Sequence, residues 1–199
     1  MKKLIFLALV AVFSYAKDVY IVHGFKSSSQ YAWIPSVARE LEARGYEVKA
    51  LDLPHADEPK LEEWLAALRA EVKADEESYF ITHSLGGISL LRYLSQADVK
   101  GRVGGVLLVA PFDEKLAILP VLDAFSAQKP DYAKLRKLIA KSVVLTAKDD
   151  KIVPYELSVK VAEGLGARLI AWEKGGHFMD VDGFYELPVV VEELDRMAR

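Results

Sequence analysis

The chain contains no cysteine. That excludes disulfides, lipid attachment through a thiol and any Cys/His metal cluster. The absence is compatible with an oxidising compartment. It has four histidines, none in a His-x-x-x-His pair with an adjacent glutamate, so no metal site is expected. No glycine-rich phosphate loop is present, and no cofactor is expected. Lysine and arginine form no block, and the formal net charge is -3. Nucleic acid is therefore not an expected partner. No apolar run reaches the roughly 20 residues of a membrane-spanning helix. Internal repeats and low-complexity runs are also missing.

What remains is a chain of 199 residues, 52% apolar, enough for one domain with a full core. Its first residues stand apart. Lys2 and Lys3 precede the apolar run Leu4 to Phe13, and Ser14-Tyr15-Ala16 follows. A basic start, a short apolar stretch and small residues two apart form a secretory signal, with cleavage expected after Ala16. Residues 1–16 are thus read as a signal peptide and 17–199 as the folded domain. The expected destination is the periplasm or the exterior, with no stable membrane insertion after cleavage.

After Ala16, short β-rich runs alternate with helical patterns. Strands are expected at Val19–Val22, Glu47–Leu51, Tyr79–Thr82, Val106–Val109, Ser142–Thr146 and Arg168–Trp172. Helices are expected at Ile34–Ala43, Leu61–Lys73, Gly86–Ser95, Tyr132–Ala140, Tyr155–Gly164 and Leu187–Ala198. Gly104 and Gly105 are placed before the fourth strand. Such alternation predicts an α/β fold: a six-stranded parallel sheet of order 2-1-3-4-5-6 with helices on both faces. Little chain is left for a lid beyond a modest excursion at Leu119-Pro120. Ligands of such sheets sit outside the carboxyl ends of the strands.

Chemistry-bearing residues follow the strands directly. The third strand ends in His83-Ser84-Leu85-Gly86-Gly87, a strand–sharp turn–helix context that pushes a serine hydroxyl out above the sheet. Asp149-Asp150 follows the fifth strand and Gly176-His177 the sixth. A serine needs a base to take its proton, and the base is usually a histidine held by a carboxylate. The order Ser, Asp, His is the one that α/β-hydrolase topology requires. Backbone N–H groups of Phe25 and Leu85 are the expected oxyanion donors. Phe25, Phe112 and Phe178 flank these loops and are expected to line a substrate pocket. Trp33, Trp64 and Trp172 are expected to pack in the core or at crossovers. His83 is read as packing beside the turn, and His23 as shaping the oxyanion loop.

These residues resemble the α/β-hydrolase superfamily, and within it the small lidless serine hydrolases of the retinoblastoma-binding protein nine type and their bacterial relatives. The matching segments are His23-Gly24, Leu51-Asp52-Leu53-Pro54, His83-Ser84-Leu85-Gly86-Gly87, Asp149-Asp150 with Val153-Pro154, and Gly176-His177-Phe178. The resemblance implies Ser84 as nucleophile, Asp150 as acid and His177 as base. It also implies hydrolysis of a small carboxylic ester through an acyl-enzyme, without metal or cofactor. Partner binding on a hydrolase scaffold and acyl transfer are the alternatives. One departure is Thr82, which stands two before the serine where the family usually has glycine; its side chain is expected to crowd the turn. The oligomeric state is left open.

Overall fold

The computed structural model describes residues 16–199; the expected signal peptide lies almost wholly outside them. Six strands form one sheet: β1 (Asp18–Val22), β2 (Glu47–Leu51), β3 (Ser78–His83), β4 (Val103–Val109), β5 (Ile139–Ala147) and β6 (Arg168–Trp172). Their order is β2-β1-β3-β4-β5-β6, and each neighbouring pair is parallel. Among the described residues, seven α-helices connect or flank them: α1 (Ile34–Ala43), α2 (Leu61–Glu71), α3 (Leu85–Gln96), α4 (Asp123–Ser126), α5 (Tyr132–Leu138), α6 (Tyr155–Leu165) and α7 (Pro188–Ala198).

Central strands are buried on both faces, which is why β3 and β4 read as near-continuous apolar runs. Alternate side chains feed two cores. Phe80, Leu108 and Val144 pack with Trp64, Leu91, Leu135 and Val161 on the face of α2, α3, α5 and α6. Ile81, Leu107 and Val143 pack with Val37, Leu41, Val190 and Leu194 on the face of α1 and α7.

The starts of β4 and β5 differ most from the sequence expectation, each lying three residues earlier. β4 starts at Val103, so Gly104 and Gly105 lie inside the strand. A methyl group at position 104 would come within 2.5 Å of the Tyr79 ring; the glycine is there because β3's tyrosine lies across it. Helix α5 ends at Leu138, and Ile139 opens β5 by pairing with Val103. Strand pairing overrides the helical pattern that ran on to Ala140.

Candidate active site

Ser84 sits between β3 and α3 with φ 50° and ψ -117°. This is a strained conformation for a residue with a Cβ. Two things hold it. Ser84 N–H donates to the Val109 carbonyl at 2.9 Å, and Gly87 N–H donates to the Ser84 carbonyl at 2.8 Å. The following helix must then lie against β1. A methyl at Gly86 would stand 2.5 Å from the carbonyl oxygens of Val22 and His23, so only glycine permits this approach. Thr82 is fully buried, and its Oγ1 lies 3.3 Å from where a Cβ at position 87 would be. The crowding expected from Thr82 is met by Gly87, which leaves the space its hydroxyl fills. That hydroxyl has no hydrogen-bond partner.

His177 and Asp150 come from the loops after β6 and β5. His177 Nδ1–H donates to Asp150 Oδ2 at 2.7 Å, with side chains 5% and 0% exposed. Asp150 Oδ1 accepts from Ile152 and Val153 N–H at 2.8 and 3.0 Å, so both oxygens are spent and the carboxylate cannot turn. In the neutral ring the Nδ1 bond to Asp150 makes Nε2 the acceptor nitrogen. Its loop is clamped as well. Asp149 Oδ1 accepts from Gly175 and Gly176 N–H at 2.8 and 2.9 Å. Asp182 Oδ2 accepts from His177 and Met179 N–H at 2.9 and 3.1 Å.

His83 is buried under this arrangement. Its Nε2–H donates to the His177 carbonyl at 2.8 Å, and the two rings lie 4.9 Å apart. Burial, with His177 beside it, pushes its pKa down to about 3, so it stays neutral and acts as a tether. Sequence reasoning had it as packing; the bond to His177 depends on a contact across 94 positions that no local pattern reveals. Asp182, five residues after His177, was missed because no local pattern marks a loop acid as folding back onto the N–H groups of its own turn.

On the other side, His23 accepts from Leu53 N–H at Nε2 (2.9 Å) and donates from Nδ1 to the Gly24 carbonyl (2.8 Å). Burial pulls its pKa down. Asp52 accepts from Ser29 N–H at 2.7 Å and from its hydroxyl at 2.9 Å. The loop carrying Phe25 is therefore braced by the loop after β2. Leu85 opens α3, where N–H groups have no partner within the helix.

Ser84, His177, His83, Gly24 and Phe25 wall one cleft of about 220 Å³, together with Leu119, Ile152 and Met179. Ser27 also lines it, with Oγ buried and unpartnered. Phe112 and Phe178 do not line it. Phe112 is 1% exposed in one core, and Phe178 is 0% exposed in the other, against Trp172 and Phe184. The expectation that they form the substrate pocket is corrected: flanking a reactive loop in sequence says nothing about which way a ring turns, and burial of a whole aromatic ring favours the core. Trp33 is buried as expected and donates its indole N–H to the Phe178 carbonyl at 3.1 Å.

The family model described as Serine hydrolase matches residues 19–196. YdeN of Bacillus subtilis (strain 168) is 35% identical over 179 residues, 89% of this chain and 94% of that protein. The crystal structure of the ydeN gene product superposes with a TM-score of 0.89 at 34% identity, covering 92% of this chain and 98% of that one. The serine hydrolase RBBP9 of Rattus norvegicus is 24% identical over 165 residues, covering 82% of this chain and 85% of that protein. Est1E from Butyrivibrio proteoclasticus shares the fold, with a TM-score of 0.68 at 17% identity over 92% of this chain and 88% of that one. The chain therefore belongs to the serine hydrolase family and is a serine hydrolase of the α/β-hydrolase fold.

Proposed function

We propose that the enzyme hydrolyses carboxylic esters of small molecules through Ser84, His177 and Asp150, by way of an acyl-enzyme. The observation that carries this reading is the buried 2.7 Å bond from His177 to Asp150 in the wall of the cleft that holds Ser84. With its Nδ1 proton committed to Asp150, His177 has Nε2 free to take the Ser84 proton as Oγ attacks the carbonyl. The same nitrogen returns the proton to the departing alcohol. Water then enters, gives its proton to Nε2 and attacks the acyl carbon; the proton passes back to Ser84 as the acid leaves. Asp150 holds the tautomer and stabilises the imidazolium. Phe25 and Leu85 N–H groups receive the developing oxyanion. In empty sites the bond between base and nucleophile is commonly long and tightens with substrate.

The test is covalent labelling with a fluorophosphonate probe. Wild type is expected to label and Ser84→Ala not to. Asp150→Asn is expected to keep the fold and lose about 10³–10⁴-fold in kcat. Folded wild type that fails to label overturns the reading.

We also propose that residues 1–16 direct export to the periplasm or exterior. Mass analysis of protein recovered outside the cytoplasm is expected to show a chain beginning at Lys17.

A further inference from the structure

Two hollows share His177 in their walls. The 220 Å³ cleft contains Ser84 and Phe25. The other, of about 550 Å³, contains Asp149, Lys151, Lys174 and Asp182 but not Ser84. Ile152, His177 and Met179 wall both. His177 thus stands on the border between a small hollow and a larger one.

We infer that the substrate is an ester of a short apolar acid with a bulky, hydroxyl-rich alcohol; this rests on the catalytic reading above. During attack the acyl carbon is bonded to Ser84 Oγ, so the acyl group occupies the hollow that holds Ser84. The departing oxygen takes its proton from His177 Nε2, beside Ser84 Oγ, and the alcohol behind it runs past His177 into the larger hollow.

The chemistry of each wall sets what fits. Phe25, Leu119, Ile152 and Met179 make the cleft mainly apolar. Its polar members offer little. Lys26 is exposed with its ammonium over the Phe25 ring, and the Tyr31 hydroxyl is spent on Asp180. Ser27 Oγ is buried beneath the surface of the wall. At roughly 30 Å³ per water-sized group the cleft holds about seven heavy atoms, an acyl chain near hexanoyl. The larger hollow carries two lysines and two aspartates. Each aspartate gives one oxygen to the backbone of the histidine loop and keeps the other. Donors and acceptors of balanced charge match hydroxyl groups, which both donate and accept, and give no reason to favour a charged alcohol.

The experiment compares kcat/KM for methyl hexanoate, glucose 6-hexanoate and glucose 6-dodecanoate, each divided by its rate with hydroxide to remove intrinsic reactivity. Wild type is expected to favour the sugar ester over the methyl ester about tenfold, the worth of one hydrogen bond to a charged group. Hexanoate is expected over dodecanoate by a similar factor. The double variant Lys151→Ala, Lys174→Ala, both exposed positions, is expected to cut the sugar-to-methyl ratio about fivefold. A corrected ratio near one in wild type, a preference for dodecanoate, or a ratio unmoved in the double variant overturns the inference. In those cases fluorophosphonate labelling of Ser84 still stands; loss of labelling in folded wild type instead removes the catalytic reading beneath it.

Discussion

At the residue scale, the site rests on exchanges of space between neighbours. Thr82 occupies room that a glycine usually leaves empty, and Gly87 gives that room back. Its hydroxyl is buried without a partner, and an unsatisfied buried polar group costs about 1–3 kcal/mol. Thr82→Val keeps the shape and removes the orphan. We expect it to label with fluorophosphonate as wild type does and to raise unfolding stability by about 1 kcal/mol, read from the urea midpoint; a lower midpoint would show that the hydroxyl has a role. Gly87→Ala in the same place is expected to be destabilising, because its methyl meets both Thr82 Oγ1 and Pro111 at 3.3 Å. The sequence singled out Ser84, Asp150 and His177 by residue type and position after strands, and the structure sets Asp150 against the His177 ring. Phe112 and Phe178 were not legible in this way, because aromatic rings serve cores and pockets alike.

Elements place these residues through the loops at one end of the sheet. The loops after β5 and β6 are tied by Asp149, which accepts two N–H groups from the glycines before His177. Those bonds hold its pKa below the usual carboxylate range. The two aspartates thus divide the work: Asp150 orients the ring, and Asp149 orients the loop that carries it. Asp149→Ala is expected to lower kcat about tenfold with the fold retained, while Asp149→Asn, whose carbonyl still accepts, keeps most of the rate. Equal losses in both would point to the charge rather than the bonds. The opposite end of the sheet holds another hollow, of about 560 Å³, rich in arginine and lysine. Arg168 and Arg196 pair with Glu193, Arg102 donates to the Ile139 carbonyl, and the other two cations serve helix ends. Arg136 donates to the Gly164 carbonyl at 2.5 Å in α6, and Lys141 to the Met197 carbonyl at 2.7 Å in α7. Carbonyls at helix C-termini carry negative partial charge that favours cations and repels anions. Size alone would have chosen the wrong hollow.

For the whole molecule, burying neutral histidines couples stability to pH. His83 and His23 both have pKa values below the ordinary 6.5, His83 at about 3, chiefly through burial. As pH falls below the ordinary histidine range, the unfolded chain takes up protons that the folded chain refuses. Stability is therefore lost on acidification through that window. Between pH 7 and 5 His83 alone is expected to account for about 2 kcal/mol, measured as the shift in urea unfolding. His83→Gln, which keeps an N–H donor for the His177 carbonyl, is expected to flatten that dependence; an unchanged slope would mean that His83 charges in place. The alternation of strand and helix, the sheet order and the placement of Ser84, Asp150 and His177 after successive strands were set by the sequence alone, because apolar periodicity and turn chemistry are local and right-handed parallel crossovers leave few topologies. Tertiary structure alone decided which rings face the cleft and that His83 holds the His177 loop in place. Those are contacts between segments distant in the chain, and their outcome depends on how two cores fill, which no stretch of residues encodes by itself.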